Sequence, residues 1–124
     1  MARLNLVVLR AHNAQRLAAF YSNLGLNFVR HRHGAGPEHF ASEDCGGVFE
    51  IYPARTDAEP TRELRLGFEV ADVQLAVERL AGTGAEIISA PAASPGGLRA
   101  VIKDIEGHKV ELTEAQPVGS REHR

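Results

Sequence analysis

The chain has 124 residues, of which 44% are hydrophobic and 24% charged. This suits one packed domain, or two half-size modules sharing a core, and excludes a disordered chain. A formal net charge of −2 leaves no electrostatic footprint for nucleic acid or an anionic membrane, so the expected partners are small molecules or another copy of the chain.

Taken in chain order, the first apolar run is Leu6 to Leu9, too short for a signal core or a membrane span. It lies in a period-two segment, Leu4, Leu6 and Val8 alternating with Asn5, Val7 and Leu9, which predicts a strand. Asn13 then caps a helix whose Leu17, Phe20, Tyr21 and Leu24 share a face, and Gly25 closes it. Three β-like runs follow, at about 27–33, 38–42 and 48–52. The stretch from Pro53 to Thr61, with two prolines and several charges, reads as a linker. A second alternating strand carries Leu64, Leu66, Phe68 and Val70. Asp72 caps a second helix with Leu75, Val77 and Leu80 largely on one side, and Gly84 closes it. Three more strands are expected at about 85–89, 98–103 and 109–113. Residues 116–124 form a polar tail, expected to be frayed. The single Cys45 cannot form an internal disulfide, which agrees with a cytosolic location.

The order βαβββ thus occurs twice. The segment from Phe20 to Phe28 is echoed by that from Glu78 to Ile87, with Gly25 and Gly84 as equivalent stops about 59 residues apart. Gly47-Val-Phe-Glu-Ile-Tyr52 is echoed by His108-Lys-Val-Glu-Leu-Thr113, which makes Glu50 and Glu111 equivalent at a spacing of 61. The expected organisation is α+β: one domain over 1–115, with module one at about 3–53, a linker at 54–62 and module two at about 63–115.

Strand alternation separates the faces. Phe49 and Ile51, like Val110 and Leu112, suit the helix side, which leaves Val48, Glu50 and Tyr52, and Lys109, Glu111 and Thr113, on the other. Leu64, Leu66, Phe68 and Val70 likewise leave Arg65, Gly67 and Glu69 opposite. In the first strand both faces are apolar; with Asn5, Val7 and Leu9 toward the helix, Leu6 joins Glu50, Glu111 and Arg65. A concave sheet with two carboxylates and a guanidinium near its centre is a ligand cavity in outline.

Three motifs carry a resemblance: Asn13 to Tyr21, ending in Phe20-Tyr21 with Leu24-Gly25 behind it; the strand Gly47 to Tyr52; and Asp104-Ile-Glu-Gly-His-Lys-Val-Glu-Leu112, similar to a D-P-D-G-h-x-h-E-L signature. From about residue 3 to 115 the chain resembles the vicinal oxygen chelate superfamily of glyoxalases, bleomycin-resistance proteins and extradiol dioxygenases. The resemblance implies two tandem βαβββ modules forming an open, incompletely closed mixed β-barrel with helices outside. It also implies a homodimer. It does not by itself select a reaction, because the fold hosts several. Metal-dependent relatives hold a divalent ion with four side chains on the first, fourth, fifth and eighth strands. Carried over, the two glutamate places are Glu50 and Glu111, and the two histidine places hold Leu6 and Arg65. Leucine cannot coordinate, and a guanidinium repels a cation while pairing with carboxylates. The expectation is therefore no metal cofactor, with Arg65 compensating Glu50, Glu111 or both; a structural ion pair is the plainer alternative. A divalent metal held at Glu50 and Glu111 is the fallback.

A histidine-rich hairpin, Arg30-His-Arg-His-Gly-Ala-Gly-Pro-Glu-His39, places His31 and His33 on one face, with His39 able to approach from the paired strand. A solvated cationic tip, contact with an anionic substrate, and Zn or Fe binding with Glu50 are its three readings, and substrate contact is favoured over metal. Tyr52 and Arg99 complete the expected substrate contacts. His108 is expected to be structural, and Cys45 lacks a base partner. The leading expectation is a metal-free protein that binds a small organic ligand. The alternatives are a lyase, isomerase or dioxygenase-like enzyme with Glu50 or Glu111 as base and Arg65 or a histidine at the oxyanion, and a divergent metal enzyme using His33 or His39.

Overall fold

A computed structural model describes residues 2–56, 61 and 63–114. They fall into two compact units, one ending at Thr61 and one beginning at Glu63. The expected tail, and the linker positions 57–60 and 62, lie outside the described residues.

The first unit comprises β1 (Leu6–Ala11), α1 (Ala14–Ser22), β2 (Val29–His31), β3 (His39–Ser42) and β4 (Val48–Pro53). Its sheet has the order β1-β4-β3-β2, with β1 parallel to β4 and the other pairs antiparallel. The Asn13 side chain accepts from the Arg16 amide, satisfying one of the orphan donors of the first helical turn. Beyond α1 the chain reverses through Gly25 at φ 90°, a conformation that costs glycine little. The core gathers Leu9, Leu17, Phe20, Tyr21, Phe49 and Ile51, all buried. Tyr21 meets Phe20 and Phe49 edge to face, at centroid distances of 5.2 and 5.3 Å.

The second unit repeats the plan with β5 (Arg65–Val70), α2 (Val73–Ala81), β6 (Glu86–Ser94), β7 (Gly97–Lys103) and β8 (Lys109–Glu114). Its sheet runs β5-β8-β7-β6, with β5 parallel to β8. Asp72 caps α2 by accepting from the Leu75 amide, and Gly84 turns the chain at φ 105°. These are the α+β elements and the βαβββ order expected, in two mixed four-stranded sheets, neither of them closed.

Three details differ from expectation. Leu75 is exposed, and the buried stripe of α2 is Val73, Ala76, Val77 and Leu80. Leu75 sits two residues before Val77, about 200° around the helix, so its apolar character does not place it on the core side. The first histidine strand is only three residues long, Val29–His31. By contrast β6 extends to Ser94, through Pro91 and two register shifts. As an edge strand it needs no donor on its outer side, so proline and bulges are tolerated there.

Candidate functional site

Each sheet turns one face to its helix and the other away, and the strand registers fix which residues share the second face. In the first unit β1 and β4 align Val8 with Glu50 and Arg10 with Tyr52. Ala41 stands across from Glu50 on β3, and His31 on β2 across from His39. Leu6 belongs to this face as expected, aligned with Val48, one place removed from Glu50's own row.

The histidines come together. His31, His33 and His39 have centroid separations of 6.0, 5.7 and 5.3 Å. His39 is buried, His31 half-buried and His33 exposed, so the hairpin is not a uniformly solvated tip. Tyr52 stacks on His39 at 4.1 Å with 6° between the ring planes, and the Arg10 guanidinium lies 4.7 Å from the Tyr52 centroid. The result is a rail of flat groups across four strands. Tyr52, half-buried, thus has His39 stacked on its ring and the Arg10 guanidinium over it.

Both ring nitrogens of His39 lie near an oxygen. Its Nδ1 lies 3.4 Å from the Pro37 carbonyl oxygen, and its Nε2 is 3.8 Å from Glu50 Oε2. The Nε2 contact is an ion-pair approach, charged only when the ring is protonated, and at that separation it is too long for a hydrogen bond. Among the described residues no three His, Cys, Asp or Glu side chains are placed to hold one metal ion. Pairwise, the planes of the three imidazoles are 9° to 35° from parallel.

In the second unit the register places Gly67 opposite Glu111 and Arg65 opposite Lys109. Across the other side of β8, Val101 faces Glu111 and Arg99 faces Thr113. Arg99 donates its Nε–H to Glu111 Oε1, and Arg65 Nη2 lies 3.8 Å from Glu111 Oε2. The Arg99 hydrogen bond holds the Glu111 carboxyl below its ordinary value of 4.5; burial, the next effect in size, opposes it, and the charges of Arg99 and Arg65 add to the lowering. Sequence reasoning had paired Glu111 with Arg65 and treated Arg99 as a separate ligand contact; the closer partner is Arg99. The registers make the two partners equivalent: Arg99 follows His39 by 60 residues, as Val101 follows Ala41, the residues facing the two glutamates. Arg10, missed altogether, is read only from its register with Tyr52.

The remaining positions carry no chemistry of this kind. His108 is buried, its Nδ1 2.8 Å from Asp104 Oδ2, while Asp104 Oδ1 accepts from the amides of Glu106 and His108. This locks the turn before β8, the structural role expected of His108. Cys45 is an exposed free thiol whose Sγ lies 4.0 Å from the Gly47 carbonyl. No helix among the described residues is long and apolar enough to cross a membrane.

A family model described as a glyoxalase-like domain matches residues 6–113. A relative from Mycolicibacterium smegmatis, an uncharacterized protein, is 32% identical over 103 residues, 83% of this chain and 85% of its own length. A glyoxalase-related enzyme from Fulvimarina pelagi has a TM-score of 0.73 at 21% identity, covering 93% of this chain and 89% of that one. TnmS3, an antibiotic binding protein from Streptomyces sp. CB03234, has a TM-score of 0.70 at 18% identity, covering 94% of this chain and 98% of that one. At such identities the two structures establish a shared fold, and the family match extends over nearly every element described. This chain belongs to the glyoxalase-like family, within the superfamily of glyoxalases, bleomycin-resistance proteins and dioxygenases.

Proposed function

We propose that this protein binds a small organic ligand on the helix-free faces of its sheets, and does so without the divalent ion of its metal-dependent relatives. The observation that carries the reading is the state of the two carboxylates: Glu111 is engaged by Arg99 and Arg65, and Glu50 faces His39. A metal would have to displace a guanidinium hydrogen bond at one of them, and of the two remaining ligand places Leu6 has no donor and Arg65 carries the charge of the ion it would meet. These residues do not fit a metal. Antibiotic binding by a protein of the same fold supports a sequestering role. A thermal-shift screen with small aromatic compounds, run with and without EDTA, tests the reading. Ligands that raise the melting temperature equally in both series are expected, because anything that binds only the folded state stabilises it by mass action, about 2.7 kcal/mol at 100 times Kd. Near-stoichiometric Ni, Zn, Fe or Mn in purified protein would refute it.

One observation favours a second, enzymatic reading. Glu50 stands on the helix-free face with the buried His39 Nε2 3.8 Å away, and in an isomerase or lyase that moves a proton beside a carbonyl Glu50 would be the base with His39 as its positioning residue. The superfamily resemblance is the ground for proposing a homodimer, for which a solution mass near 27 kDa, twice 13.4 kDa, is expected. The exposed free Cys45 accords with the reducing cytosol, the compartment proposed.

A further inference from the structure

We propose that Arg65 and Arg99, held by Glu111, form a recognition site for a ligand carboxylate on the open face of the second unit. The inference rests on the ligand-binding reading above and adds the chemical class of the ligand. Two guanidiniums bring ten N–H donors and two positive charges to one carboxylate, which supplies about four lone-pair sites and one negative charge. Glu111 therefore leaves donors and one net charge uncommitted. Both arginines are partly exposed, at 50% and 37% of their side-chain surface.

Glu111 also shows what such a site accepts. It is an internal carboxylate already resting on the guanidiniums, and a second carboxylate meets the same planar, forked donors. Gly67 supplies room: it stands directly across from Glu111, and a Cβ built there would meet nothing nearer than the Glu111 backbone oxygen, at 3.9 Å. The rest of that row is Val101 and Ser89, both uncharged. Of the other charged groups on this face, Glu69 shares Arg99's row, with Thr113 between them, and Glu86 shares Arg65's row, with Lys103 and Lys109 between them.

The experiment is calorimetric titration of the full chain with benzoate and with benzamide, its neutral isostere. Benzoate is expected to bind about tenfold or more tightly than benzamide, with an affinity that falls as salt rises. Arg99→Gln should weaken benzoate binding about tenfold, Arg65→Gln less, and Glu111→Gln should strengthen it by removing the internal competitor. Gly67→Val, which meets no backbone obstacle, should weaken benzoate binding while leaving the melting temperature in place. The proposal is overturned if benzamide binds as well as benzoate, if benzoate does not bind, or if the Arg65→Gln, Arg99→Gln double variant binds benzoate unchanged. A neutral hit in the thermal-shift screen, with benzoate inert, would overturn this proposal and leave ligand binding itself standing. A screen without any hit would remove the broader reading.

Discussion

The two units put a carboxylate at the same place on the same kind of strand and surround it differently. Glu50 on β4 faces a buried imidazole from β3; Glu111 on β8 is held by a half-exposed guanidinium from β7. The His39 pair is charged only when the ring holds a second proton, whereas the Arg99 pair is charged permanently. A repeated backbone thus sets one carboxylate beside an ionisable ring and the other in a fixed ion pair. The turns before those strands differ in the same sense. Asp104 and His108 lock one from within, while in the other Asp44 accepts from the Asn27 amide and Gly47 takes the place of the histidine.

The largest test of that difference is in the turns. Asp104→Ala leaves His108 buried without its carboxylate and removes the acceptor for two amides, and it should cost about 3 kcal/mol in urea unfolding. Asp44→Ala, in the exposed counterpart, should cost about 1 kcal/mol. Equal losses would erase the contrast. Gly47→Ala comes next: a Cβ there would lie 2.8 Å from the Asn5 carbonyl oxygen, a backbone atom, so a loss of about 1–3 kcal/mol is expected. The same substitution at Gly67, open to ordinary contact, should be nearly neutral.

The smallest effect is the pH dependence of the ionic site. The Glu111 carboxyl is depressed in the folded protein, so its contribution is present above the unfolded value, near 4.5, and is lost as pH falls through the lower folded value. Wild type should therefore exceed Glu111→Gln in denaturant midpoint at neutral pH, and the two should converge as pH falls below about 4.5. A gap that stays constant down to pH 3 would show that the Arg99 contact adds nothing specific to the charged carboxylate. Half-exposure and salt screening keep the effect small.

Much of this was legible in the chain. Alternation in 48–52 and 109–113 separated Phe49 and Ile51 from Glu50, because a strand cannot turn one side chain without turning its neighbours. Asn13 and Asp72 marked helix starts through local hydrogen bonds that need no distant partner. The long β6 was less legible, since Pro91 and small residues look like a loop until an edge position makes them acceptable. The partner beside each carboxylate was less legible still. Arg99 reaches Glu111 across an antiparallel pair whose register no local pattern announces.

By itself, then, the sequence determined the doubled βαβββ plan, the helix caps and the faces of the strands, because periodicity and capping are local properties of the chain. Tertiary structure alone decided which side chain holds each glutamate, that Tyr52 lies between Arg10 and His39, and that His39 is buried while His33 is exposed. Those outcomes depend on strand register, and a shift of a single residue would send every one of these side chains to the other face.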